Sequence, residues 1–88
     1  MLKDLQKYIK DKPKLLVFGS NQIFKQIKLD KINEVFVASD CSKEILEKLG
    51  RYSKFSNLKI YELPKNKEEI TLLCKKEFPV SVVGVIKD

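Results

Sequence analysis

The chain has no histidine and no tryptophan, and only two cysteines, three glycines and three prolines in 88 residues. Each scarcity excludes something. Histidine is the side chain whose ordinary pKa lies near neutrality, so without it no nucleophile–base pair and no histidine-held metal is expected. Cys41 and Cys74 form no CxxC spacing, so neither a zinc site nor any other metal or cofactor is expected. No segment reads as a signal peptide, which argues against a disulfide framework. Both thiols are read as reduced, intracellular and buried. No apolar run reaches the length of a bilayer span, so no membrane partner is expected. Arginine is scarce too: seventeen of the eighteen basic residues are lysines and the other is Arg51.

What is present is charge and a modest core. The length suits one small domain over residues 1–88. Such a domain buries roughly 60–65% of the surface of its unfolded chain, so its stability is modest. Hydrophobic residues make up 43%, enough for a core, and the net charge is +6. The excess is uneven: residues 1–31 carry eight lysines against three aspartates, a net of +5, and the rest of the chain carries +1. A basic half beside a neutral half suggests a polyanion-binding face. A lysine-rich composition alone would give the same total, so charge favours nucleic acid only mildly.

Along the chain, Leu2, Leu5 and Ile9 recur at helical spacing. Pro13 ends that helix, because the residue before proline avoids the α region. A short apolar strand over 14–18 stops at Gly19. Residues 21–29 form a second helix, with Ile23, Phe24 and Ile27 towards the core. A second strand follows over 34–39. Ser42 caps a third helix whose apolar stripe is Ile45, Leu46 and Leu49. Residues 58–62 alternate as a third strand. Asn66 and Glu69 resemble a capping box on a fourth helix, with Ile70, Leu73 and Cys74 inward. Phe78-Pro79 breaks that helix, and 80–86 reads as a strand buried on both faces. The order α-β-α-β-α-β-α-β predicts an α/β fold: a three-layer α/β/α sandwich around a four-stranded mixed sheet.

The residues with most to say are Gly19-Ser20-Asn21-Gln22-Ile23-Phe24-Lys25. They join a strand to a helix, and a helix N-terminus presents unpaired N–H groups and a positive dipole end. Asn21, Gln22 and Lys25, at i, i+1 and i+4, share the first turn of that helix. A side-chain amide offers a donor and an acceptor together to one base edge. A plain strand-to-helix turn, with Asn21 as its cap and Lys25 as a solvated charge, accounts for the same residues about equally well.

This segment resembles the signature of the kink-turn RNA-binding superfamily of ribosomal proteins, the group named for the archaeal large-subunit proteins seven-Ae and thirty-e. That pattern is Gly, any residue, Asn or Lys, Glu or Gln, two residues, then Lys, and the chain fits every position. The segments 35–42, 51–57 and 78–86 resemble the family's second strand and polar loop, the end of its next helix in the thirty-e branch, and its closing loop and last strand. The resemblance covers about residues 14–87 in order.

The resemblance implies a protein without catalytic activity that grips a sharply bent RNA containing tandem sheared G·A pairs. Asn21, Gln22 and Lys25 would contact the guanines and adjoining backbone, with Gly19 and Ser20 forming the close approach. Lys28 and Lys31 would add phosphate contacts, which position without reading sequence. Phe78, Pro79, Val80 and Ser81 would close over a flipped-out nucleotide, and Leu46 would line its pocket. The chain departs from the pattern in three ways. Gln22 stands where many members have Glu; Cys74-Lys75-Lys76-Glu77 lacks the usual glycine; and no C-terminal helix follows the last strand. The expected partner is structured RNA, a kink-turn in ribosomal RNA, with other ribosomal or RNP proteins alongside. The protein is expected to be cytoplasmic, in the ribosome or another ribonucleoprotein particle, and monomeric when free. Its rivals are a non-ribosomal role, in a modification-guide particle or ribonuclease P, and a protein–protein adaptor on the same fold.

Overall fold

In the computed structural model, which describes residues 2–87, helix and strand alternate as the sequence predicts. Helix α1 spans Leu2–Asp11, and Pro13–Leu15 forms a 3₁₀ turn. Strand β1 is Leu16–Phe18, α2 is Ser20–Lys28, β2 is Ile32–Val37 and α3 is Lys43–Ser53. Strand β3 is Lys59–Glu62, α4 is Lys67–Leu73 and β4 is Val82–Ile86. The side chain of Leu2, read as part of the first apolar stripe, lies outside the described residues.

Several boundaries differ from expectation. Helix α2 spans Ser20–Lys28 rather than 21–29, and β3 begins at Lys59 rather than residue 58. Strand β2 spans Ile32–Val37 rather than 34–39, because the Ala38 and Ser39 N–H groups bond to the loop carbonyls of Ser81 and Lys65. Two further shifts have local causes. Strand β1 begins at Leu16 rather than residue 14, because Pro13 supplies a fixed φ and no N–H, and the chain turns through Leu15 N–H bonded to Lys12 O at 3.1 Å. The last strand begins at Val82 rather than Val80, because the Val80 N–H is taken by the Thr71 side chain at 2.8 Å.

The sheet order is β1-β4-β2-β3. Strand β4 runs antiparallel to both β1 and β2, while β2 and β3 are parallel. Alternate residues of one strand therefore serve two cores. Phe36, Ala38, Val83 and Val85 join Leu5 of α1 and Ile70 and Cys74 of α4 on one face. Val35, Val37 and Val82 join Ile23, Phe24 and Ile27 of α2 and Leu49 of α3 on the other. This is the three-layer α/β/α arrangement, and it explains why β4 shows no polar alternation. Among the described residues, no helix is long and apolar enough to cross a membrane.

The helix ends follow their local chemistry. Ser42 Oγ accepts from Ile45 N–H at 3.3 Å and caps α3. Asn66 and Glu69 exchange both bonds of a capping box on α4. Helices α2 and α4 both stop in a Schellman turn without glycine. Asp30 (φ 57°) and Lys75 (φ 55°) take the left-handed position. Lys31 N–H reaches back to Gln26 O, and Lys76 N–H to Thr71 O.

Candidate nucleic-acid interface

Strands β1, β2 and β3 run in the same direction and β4 runs against them. The turn after β1, the loops after β2 and β3, and the segment entering β4 therefore gather at one edge of the sheet. Carboxyl ends of strands in open α/β sheets are where ligands commonly bind.

Hydrogen bonds fix these loops to one another. Ala38 N–H donates to Ser81 O at 2.8 Å, and Ser39 N–H to Lys65 O at 2.8 Å. Asp40 Oδ1 accepts from Lys67 N–H at 2.8 Å, giving the first turn of α4 a second acceptor besides Asn66. Thr71 Oγ1 donates to Lys67 O at 2.6 Å and accepts from Val80 N–H. That hydroxyl hooks the closing loop to α4. Side-chain anchors of this kind span up to 27 positions in sequence, and no local pattern announces them.

At the start of α2, Gly19 is the N-cap with φ 92° and makes no side-chain cap bond. An added Cβ there would meet nothing within 4 Å, so the backbone angle, not space, calls for glycine. The helix begins one residue earlier than expected, at Ser20. Asn21 is therefore inside the helix and is not its cap. Asn21, Gln22, Lys25 and Lys28 are exposed, and their side chains take part in no hydrogen bond or ion pair among the described residues. Ile23 and Ile27 on the opposite side of α2 are buried. The apolar stripe thus turns the amides and lysines outward to solvent, and the first turn of α2 places Asn21 and Gln22 at the loop edge.

Other predicted residues are placed differently. Ser20 and Ser81 are half-buried, and Leu46 is half-buried against the α2–α3 core. Phe78 is 50% exposed and Pro79 is exposed beside it, whereas Val80 is 1% exposed. The Val80 side chain belongs to the α1–α4 core and is not available to cover a nucleotide; only its backbone is. Lys31 lies beyond the far end of α2, where its carbonyl accepts from Lys87 N–H at 2.7 Å. Helix α2 has nine residues, about 13 Å at its rise per residue. Lys31 is therefore separated from Asn21 and Gln22. Lys28, the last residue of α2, lies about 10 Å along the helix from Asn21, so the structure gathers Ser20, Asn21, Gln22 and Lys25 nearest the loop edge.

Both cysteine thiols are biased towards the protonated form. Burial pushes the Cys41 thiol above its ordinary value, more than the Ser81 side chain and Ser42 backbone bonds lower it. Burial likewise raises Cys74. Both are free thiols; Cys74 is buried as expected, while Cys41 is only half-buried.

Comparison with known proteins places this geometry. The family described as "Ribosomal protein L7Ae/L30e/S12e/Gadd45 family" matches residues 2–88. Large ribosomal subunit protein eL30 of Sulfurisphaera tokodaii is 34% identical over 71 residues, covering 81% of this chain and 67% of that protein. The eL30 protein of Methanococcus maripaludis strain C5 is 33% identical over 72 residues, covering 82% and 68%. These relatives are ribosomal proteins, not enzymes. In fold, a solved Giardia lamblia 15.5kD RNA binding protein matches with a TM-score of 0.80 at 20% identity, over 99% of this chain and 74% of that one.

Proposed function

The chain belongs to the ribosomal protein L7Ae/L30e/S12e/Gadd45 family, and from that premise we propose that it binds a kink-turn or related internal loop in ribosomal RNA and holds it bent. The observation that carries this reading is the state of Asn21 and Gln22. Both amides stand exposed on the first turn of α2, and neither is used by the protein itself. An amide engaged in capping the helix would have favoured the plain-turn reading. Here both are left to pair with base edges.

The protein does no chemistry. It stabilises one RNA conformer over others, and the equilibrium shifts by the difference in affinity for the two. Asn21 and Gln22 discriminate between bases. Lys25 and Lys28 add phosphate affinity that weakens as salt rises. Gln22 in place of a carboxylate leaves its guanine contacts without charge assistance. Phe78 and Pro79 offer apolar cover to an extruded base on the same edge. The eL30 relatives support a site in the large ribosomal subunit.

The test is a titration of an end-labelled kink-turn RNA at two salt concentrations, following its end-to-end distance. Wild type is expected to shorten that distance, with Asn21→Ala losing the effect while both bind plain duplex weakly and alike. Equal binding of both RNAs by wild type and Asn21→Ala would remove the proposal and bring the adaptor reading forward.

A further inference from the structure

We infer that the C-terminal end of α3 is a second RNA contact, which stacks one unpaired nucleotide flanking the bound loop on Phe55. Phe55 is 89% exposed, more than Leu29, Leu72 or Phe78, the other exposed large hydrophobics among the described residues. It is not a loose side chain on a wandering loop. Phe55 N–H donates to Tyr52 O at 3.1 Å, Ser53 Oγ to Gly50 O at 2.7 Å and Ser56 Oγ to Tyr52 O at 3.0 Å. Three residues on, Leu58 is buried in the α2–α3 core. The ring is thus presented on a pinned turn.

The surroundings decide the occupant. Lys48, Arg51, Tyr52 and Phe55 line an open hollow of about 230 Å³. Exposed Lys54 adjoins it on the same turn. No carboxylate lines the hollow; Glu44 and Glu47 sit further back along α3 and make no ion pair with Lys48 or Arg51. Part of this charge offsets the negative end of the α3 dipole, which is equivalent to about half an elementary charge. The remainder is positive. An aromatic face ringed by cations suits a base with its phosphates, since stacking is tolerant of sequence and the cations track the backbone. A cationic or apolar protein segment would leave those charges uncompensated.

The patch also adjoins the helix of the proposed site. Tyr52 stacks on Phe24 of α2 at 5.7 Å between centroids, and Lys48 Nζ lies over the Phe24 ring, 4.5 Å from its centroid. Phe24 is one residue before Lys25. RNA held at Asn21 and Gln22 and continuing along α2 meets α3 at this point. The inference rests on the proposed RNA-binding reading for that direction of approach.

The test compares a blunt kink-turn RNA with the same RNA carrying a single-stranded extension with 2-aminopurine. Wild type is expected to bind the extended RNA roughly tenfold more tightly and to quench the 2-aminopurine. Phe55→Ala should lose both effects and keep its affinity for the blunt RNA; Arg51→Gln should lose part of the gain. An extension that adds nothing, or a gain and quenching that survive in Phe55→Ala, overturns the inference and leaves the patch to a protein partner. If wild type ignores the blunt kink-turn, the kink-turn reading falls by itself. The single-stranded 2-aminopurine oligonucleotide alone then decides: quenching by wild type and not by Phe55→Ala supports the platform, and its absence overturns it.

Discussion

Ile23 of α2 lies directly on Gly84 of β4: a Cβ at position 84 would come within 3.2 Å of Ile23 Cγ1 and 2.9 Å of Ile32 Cδ1. The contact sets how closely α2 approaches the sheet, and α2 carries Asn21 and Gln22. Stability and site position therefore share one glycine.

Gly84→Ala is expected to destabilise the protein by about 1 kcal/mol, because overpacking a full core forces its neighbours off their rotamers. Urea denaturation measures the loss. RNA affinity should fall by more than the stability change explains, since the helix bearing the amides moves outward. Unchanged stability would mean that the two isoleucines yield freely.

Thr71→Val keeps the shape of the side chain and removes the acceptor for the Val80 N–H. A buried donor left unpaired costs about 1–3 kcal/mol. Faster hydrogen exchange at the Val80 amide, with α2 amides unaffected, would locate the effect in the closing loop.

Lys75→Gly is expected to stabilise the chain by roughly 0.5 kcal/mol. A left-handed non-glycine residue costs about 1–2 kcal/mol, and the added freedom of glycine in the unfolded chain returns about 0.4–1 kcal/mol of that. The Schellman bonds from Lys75 and Lys76 remain available to glycine. A higher urea midpoint with an unchanged slope is the readout.

Stability should also fall in alkaline solution. Burial raises both cysteine thiols above their ordinary value of 9.0. Above that value the unfolded chain loses these protons first, so unfolding is favoured. The contribution is whole below pH 9 and declines as pH rises through the higher folded values. Urea midpoints at pH 8 and pH 10 should differ in wild type, and less so in Cys41→Ala/Cys74→Ala.

Much of the fold was legible because periodicity and burial agreed. Ile23 and Ile27 marked the inner side of α2, and the unbroken run around Val82–Val85 marked a strand covered on both faces. The capping box at Asn66 and Glu69 was readable because it is local. What escaped was set by distant partners. Val80 reads as a strand residue, yet a threonine nine positions earlier takes its N–H. Lys31 reads as part of a lysine series, yet the length of α2 carries it to the other end of the sheet. The exposed amides at Asn21 and Gln22 were visible as residues. That neither serves as the helix cap depended on where α2 begins, and one residue of helix boundary is below what sequence resolves.

The strand order has a consequence for how the molecule is made. Strand β4 lies between β1 and β2 but comes last in the sequence. During synthesis, β1 stays without its sheet neighbour, and β2 without one of its two, until β4 emerges. Both apolar faces wait with them, because Val82, Val83 and Val85 belong to the two cores. Closure is thus a late, long-range event of the slow kind, and the nascent chain carries bare strand edges until then. A ribosome stalled before Val82 would hold a chain unable to complete its sheet. Acquisition of protease resistance should accordingly come in a single step, once β4 has left the ribosome.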